Sequence, residues 1–343
     1  MTLDFYQRTS TPALPSWTRA ALLGAAGLVA SAVLVRYLSQ RAESERRPVG
    51  KFASLGTMQI HYVDRGSGPP VVVLHGNGSM IEDLESSGFL HQLAQSHRVI
   101  AMDRPGFGRS TRPDRDWSPE QEARALLAFI NQLRLERPVI VAHSWATLVA
   151  LSLALEEPDA LSGLVLIGGY YYPTTRMDAA MQRLVALPLV GDGFRYTLLP
   201  LLSRAAAPLA FKKMFSPLKP TDAFLRDYSV GMASRPSQLR SVADDTVDMP
   251  RAAARLSPRY GELQLPIDVI AGADDKVVST AHQSRRLNRE LHNSYFDEVP
   301  GVGHMLHHAH PQLIERRVAD VFQRAGSPVG AQPATVSPGA RRS

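Results

Sequence analysis

The chain has 343 residues, 44% of them hydrophobic and 20% charged, with no cysteine and a formal net charge of +6. That length suits one α/β domain with an insertion, and the apolar fraction is enough for a large core. The excess charge is terminal: residues 1–51 hold seven Lys/Arg against three Asp/Glu, and residues 325–343 add Arg341 and Arg342. The central domain is therefore neutral and lacks the basic face that a nucleic-acid binder carries, so no nucleic-acid partner is expected.

Residues 1–16 read as an N-terminal tail. Residues 17–38 read as a transmembrane anchor built on an uncharged run, residues 20–35, between Arg19 and Arg36, with Trp17 and Tyr37 placed as interfacial aromatics. The run spans about 24 Å as a helix, short of a hydrocarbon core of roughly 30 Å, and snorkelling Arg19 and Arg36 would supply the rest. Two alternatives stay open: a signal peptide cleaved near Ala30-Ser31-Ala32, or an ordinary docking helix. Arg36, Arg41, Arg46, Arg47 and Lys51 follow the run while Arg8 and Arg19 precede it, which predicts a single-pass protein with its main domain in the cytoplasm. Residues 39–51 read as a linker.

Apolar strands with polar, glycine-rich ends follow. Residues 71–74 run into His75-Gly76-Asn77-Gly78, and residues 97–102 into the segment from Asp103 to Ser110. Residues 139–141 lead through Ala142 and His143 to Ser144, after which a helix starts. The backbone must reverse sharply at Ser144, so positions 142 and 146 must be small. Here both are alanine where the usual G-x-S-x-G elbow has glycine. A strand at 161–169 runs into Tyr170-Tyr171-Tyr172-Pro173 with no carboxylate at hand. Residues 170–265 break the strand–helix alternation and predict a helical lid, with helices at 181–189, 194–202 and 207–215 punctuated by Pro200, Pro208 and Pro217. Strands at 267–271 and 295–299 end in Gly272-Ala273-Asp274-Asp275 and Gly301-Val302-Gly303-His304. Residues 325–343, rich in Pro, Gly, Ala and Ser, read as a disordered tail.

Turns of this kind at strand ends are where an open α/β sheet keeps its site. In these four motifs and their order, nucleophile, acid, histidine, the chain resembles the α/β-hydrolase family over roughly residues 50–324. The resemblance implies a mostly parallel central sheet flanked by helices, with a core at 52–169 and 266–324. It implies Ser144 as nucleophile, His304 as the base and Asp275 as the carboxylate that orients it. The spacing G-x-x-D followed by an apolar pair selects Asp275 over Asp274. By resemblance the backbone N–H groups of Asn77 and Trp145 form the oxyanion hole. His143, adjacent to the nucleophile, reads as structural, and Arg104 and Arg109 as scaffolding salt bridges.

These residues predict a serine hydrolase for an ester or related acyl bond of a small, lipid-like molecule. A carbon–carbon bond hydrolase or acyltransferase with the same triad, or a non-catalytic module of the same fold, stays open. Asn77 with Trp145 is also the side-chain pair that binds halide in haloalkane dehalogenases, which the chain resembles. Those enzymes use an aspartate where this chain has Ser144. His304, His307, His308 and His310 have a spacing that can bind zinc, but Pro311 follows at once, cysteine and H-E-x-x-H are absent, and no metal is expected. No G-x-G-x-x-G or P-loop follows a strand, so no cofactor is expected.

Overall fold

A computed structural model describes residues 15–45, 49–113, 117–175 and 177–326, for residues 177–181 the backbone only. Of the tails expected at 1–16 and 325–343, residues 1–14 and 327–343 lie outside the described residues, while Ser16 and Ala325 belong to helices. Eight strands form one sheet: β1 (Lys51–Leu55), β2 (Met58–Arg65), β3 (Pro70–Leu74), β4 (Arg98–Met102), β5 (Val139–His143), β6 (Gly163–Ile167), β7 (Ile267–Gly272) and β8 (Ser294–Val299). Their order is β1-β2-β4-β3-β5-β6-β7-β8. The first two pairings are antiparallel and the other five parallel.

The central strands are almost wholly apolar because both of their faces are covered, the exceptions being His143 at the end of β5 and Asp268 in β7, which pairs with Arg324. Alternation along each strand divides the core in two. Val72, Leu74, Ile140, Ala142, Leu164 and Leu166 face one cluster, into which helices α2 (Pro119–Gln132) and α3 (Ala146–Glu156) contribute Leu126, Phe129, Leu148 and Val149. Val71, Val73, Val139, Val141, Val165 and Ile167 face the other, completed by Leu84 and Phe89 and by Ile314, Val318 and Val321 of a C-terminal helix, Pro311–Ala325. The parallel strands thus end together at one edge, where the reversals after β3, β5, β6 and β7 lie side by side.

The insertion between β6 and β7 is helical. It contains α4 (Met177–Ala186), α5 (Val190–Tyr196), α6 (Leu199–Phe215) and α7 (Pro236–Leu256), the C-terminal helix then being α8. Two of the expected boundaries change. Pro200 sits at the start of α6, whereas Pro208 lies inside it and does not end it. Ala205, Ala206, Ala207 and Ala210 surround Pro208 with strong helix formers, and the helix continues through.

The expected linker at 39–51 is largely helix as well. The first helix, α1 (Ser16–Glu45), carries on through Glu45. Arg41 pairs with Glu45 at 2.6 Å on its exposed side, while Ala42 packs with Met80 and Met232. Glu43 reaches Arg235 at 2.7 Å, and the Ser31 hydroxyl donates to the Thr197 carbonyl at 2.9 Å. The second half of α1 is therefore docked on the insertion. A solvated run of charges in the sequence conceals a docked stripe.

Candidate active site

Val139 to His143 end β5, and Ser144 takes φ +57°, a left-handed conformation that a side chain adopts only at a cost. Its N–H donates to the Ile167 carbonyl at 2.9 Å, and its carbonyl accepts from the Thr147 N–H and hydroxyl at 3.1 and 2.7 Å. Ala142 and Ala146 are fully buried. The sharp turn packs closely against the loop after β3: a Cβ on Gly76 would lie 3.0 Å from Ser144 Cβ and 3.1 Å from His143 Nδ1.

Asp275 follows β7. Its Oδ1 accepts from the N–H groups of Val277 and Val278 at 2.7 and 2.9 Å, and its Oδ2 lies 2.7 Å from His304 Nδ1. His304 Nε2 lies 3.0 Å from Ser144 Oγ. A carboxylate at Nδ1 accepts, so that nitrogen carries the hydrogen and Nε2 is left as acceptor for the serine hydroxyl. Asp274 points elsewhere, accepting from the Gly301 N–H at 2.9 Å and so fixing the turn that carries His304. Ser144, His304 and Asp275 are thus brought together and Asp274 is not. Gly168, at φ +53°, is a residue the sequence reading missed: a Cβ there would come within 3.5 Å of His304 Nδ1 and 3.7 Å of Asp275 Oδ2.

Trp145 is the N-cap of α3, ahead of the helical hydrogen-bond ladder, and Asn77 follows the Gly76 that abuts Ser144. Their side chains are engaged elsewhere. The Trp145 indole N–H donates to the Asp245 carbonyl at 3.0 Å, and the Asn77 amide donates to Thr246 Oγ1 at 3.0 Å and the Val242 carbonyl at 3.3 Å. All three acceptors belong to α7, so this pair ties the insertion to the core.

The alpha/beta hydrolase fold model matches residues 69–311. The chain belongs to this family. Its curated relatives are hydrolytic enzymes. A 2-hydroxy-6-oxo-6-(2'-aminophenyl)hexa-2,4-dienoic acid hydrolase of Metapseudomonas resinovorans is 26% identical over 288 residues, 79% of this chain and 89% of its own. Haloalkane dehalogenase 2 of Mycobacterium tuberculosis is 25% identical over 277 residues, 77% of this chain and 91% of its own. Among solved structures, a haloalkane dehalogenase from Bradyrhizobium elkani shares the fold with a TM-score of 0.63 at 21% identity, over 80% of this chain and 97% of that one.

Besides the Asp275 carboxylate, itself buried, the buried charges of this α/β-hydrolase lie around the site. Arg104 is wholly buried beneath the Trp145 ring, its guanidinium 4.0 Å from the ring centroid. It holds Glu122 of α2 at 2.7 Å and Asp245 of α7 at 2.8 Å, and Arg112 reaches Asp245 at 2.9 Å. The scaffolding role expected of Arg104 has these partners. Arg109 donates to the Glu43 carbonyl of α1 and, through its own N–H, to Asp103 at 2.9 Å. An Arg104→Met variant leaves two carboxylates buried against a lost cation and is expected to lose about 3–5 kcal/mol of unfolding free energy in urea titration. Combining it with Glu122→Gln and Asp245→Asn should recover much of that loss.

His143 is structural in geometry: its Nε2 lies 3.1 Å from the His304 carbonyl. Burial, then the neighbouring His307 and His304, push its pKa well below the usual value. His307 and His308 converge on Asp83, with Nε2 atoms 3.3 and 2.8 Å from its Oδ1. Burial alone would raise the Asp83 carboxyl, but the two imidazoles outweigh it and hold the pKa well down. Asp83 Oδ1 and the two Nε2 atoms lie close enough to hold a cation. A ligating imidazole normally donates its second nitrogen to an acceptor, and neither Nδ1 here has a partner.

His75 is neutral for a readable reason. The Arg104 backbone N–H donates to its Nε2 at 2.9 Å, and its Nδ1 faces the Gly76 carbonyl at 2.8 Å. Protonation would break the first bond. Burial, then the Arg104 cation, push the pKa down to about 4 from 6.5. Between those values the unfolded chain binds a proton that the native one refuses. The contribution of His75 is therefore full above about pH 6.5 and lost as pH falls toward 4, roughly 3 kcal/mol in all. The measurement is unfolding free energy against pH, in which His75→Gln should flatten the slope across that window by about one proton.

Proposed function

We propose that this α/β-hydrolase cleaves an ester or related acyl bond through a covalent acyl-enzyme on Ser144. The reading rests above all on the continuous chain from Asp275 to His304 to Ser144, at 2.7 and 3.0 Å. His304 Nε2 takes the hydroxyl proton as Ser144 Oγ attacks the carbonyl carbon, while Asp275 stabilises the imidazolium. The oxyanion accepts from the N–H groups of Trp145 and Asn77. Collapse expels the alcohol, which leaves with the proton from His304. Water, deprotonated by the same imidazole, then attacks the acyl group and releases the acid.

Dehalogenation is disfavoured by two features of this chain. A serine ether formed by alkyl transfer is not readily hydrolysed, whereas an ester formed on a carboxylate is. The indole and amide donors of Trp145 and Asn77 are bound to α7 rather than free for a halide. The insertion serves as a lid over a pocket for a lipophilic acyl group, and α1 anchors the chain in a membrane. α1 is long and apolar enough to cross one.

The test is turnover of p-nitrophenyl esters from acetate to long acyl chains, with labelling by a fluorophosphonate. Labelling with hydrolysis supports the reading, and the preferred chain length sizes the pocket. A folded protein that neither labels nor hydrolyses would sink it in favour of a binding module. A second reading, carbon–carbon bond hydrolysis with the same triad, is favoured by the Metapseudomonas relative. Faster turnover of a 6-aryl-2-hydroxy-6-oxohexadienoate than of any ester would establish it.

A further inference from the structure

The exposed large apolar side chains are not scattered. On the sheet, only Phe52 and Tyr295 are exposed among such residues, with Val49 just before β1. Eight lie on α1, from Trp17 to Tyr37. Most of the remainder lie on the insertion, where Val190 and Phe194 are one turn apart on α5, and Leu202 and Leu209 two turns apart on α6. Single exposed apolar residues need no explanation, but a concentration on two neighbouring elements marks a contact surface.

The seating of α1 says what covers that surface. Its apolar run ends at Arg36, the first charge that must leave the hydrocarbon. Ser31, which donates to the Thr197 carbonyl between α5 and α6, lies five residues before Arg36. At 1.5 Å per residue that contact sits about 7 Å inside the level of Arg36. Val35, one residue before the charge, is itself buried against the body of the protein. A helix docked in this way cannot span a bilayer while the insertion stays clear of it. Interfacial elements bury their apolar faces by roughly 5–10 Å, which is the depth this geometry requires.

We infer that the outer face of α5 and the start of α6, with Phe194, Leu198 and Leu202, is immersed in the same bilayer leaflet that holds α1. Further along, α6 passes to the aqueous side of Arg36, where Arg204 reaches the Leu38 carbonyl. The lid then lies on the membrane, and an apolar substrate reaches it from the lipid. This rests on the anchor reading of α1 but not on the chemistry of Ser144.

The absence of cysteine makes the test direct. In the full chain, Leu198→Cys and Leu202→Cys are labelled with an environment-sensitive fluorophore and reconstituted in phosphatidylcholine vesicles. Val29→Cys reports the anchor. Asp159→Cys, between α3 and β6 at the opposite edge of the sheet, reports the aqueous side. Each protein is first required to melt like the unmodified chain. Expected are blue-shifted emission and quenching by acyl-brominated lipid at 29, 198 and 202, and neither at 159. Quenching at 29 without quenching at 198 and 202 overturns the inference and leaves the anchor standing. No quenching at 29 removes both. A blue shift at 198 or 202 that is insensitive to brominated lipid means that a second copy of the chain covers the face, and also overturns it.

Discussion

Ser144→Ala is expected to abolish ester hydrolysis, by on the order of 10⁶-fold in kcat, since removing the nucleophile of such a triad costs about that much. The fold should survive unchanged. The turn is held by the Ser144 N–H on the Ile167 carbonyl and by Thr147 on the Ser144 carbonyl, and alanine keeps every one of these backbone bonds. It also keeps the strain, because φ +57° disfavours any side chain. Ser144→Gly should therefore be equally inactive yet more stable than Ser144→Ala, by about 1 kcal/mol. Activity is read with the p-nitrophenyl ester that turns over best, stability by urea unfolding. Residual activity in Ser144→Ala near that of the unaltered chain would remove Ser144 from the reaction. An alanine variant more stable than the glycine one would mean that the turn is not strained as its dihedral implies.

The same turn shows why so much of the site was legible in the sequence. A strand that must be buried on both faces is mostly apolar, so its end is marked where the apolar run gives way to polar and small residues. Ser144 and Asp275 each stand a few residues past such an end, and Ala142 and Ala146 are small for steric reasons that hold locally. His304 follows the half-buried, mixed β8 and is marked instead by the Gly303-His304 pair. The supporting residues carry no such mark. Asp245 and Glu122 lie on amphipathic helices beside other charged residues, Asp244 and Glu120 among them, and read locally they belong in solvent. Only the chain's return brings Arg104 to them, across 141 and 18 residues. Asp83 is hidden in the same way, since its partners His307 and His308 follow more than two hundred residues later. Gln283 binds the backbone of Tyr171 and Tyr172 at the root of the insertion, and nothing near it in sequence predicts that. The second half of α1 was misread for the opposite reason. Arg41, Glu43 and Glu45 suggest a solvated linker, although Ala42 between them is docked on the insertion.

Asp275→Asn separates orientation of the base from simple loss of charge. An asparagine can keep the bonds from the Val277 and Val278 N–H groups and leave the turn intact. Its amide nitrogen, if turned to His304, donates where a carboxylate accepts, and so favours the tautomer with hydrogen on Nε2. That tautomer cannot take the proton of Ser144. A fall in kcat of about 10⁴-fold at neutral pH is expected, with little change in KM. Asp274→Asn is the matched control, because the lost carboxylate accepts from the Gly301 N–H and touches no reacting group. Its amide oxygen can still accept that bond, so kcat should fall less than about tenfold, within the range of a small shift in the His304 loop. The two neighbours thus differ by about three orders of magnitude in expected effect, although one residue apart in sequence. Equal losses in both variants would mean that the acid acts through the charge of the loop rather than through the 2.7 Å contact with His304 Nδ1. The larger loss in Asp274→Asn would move the acid to Asp274.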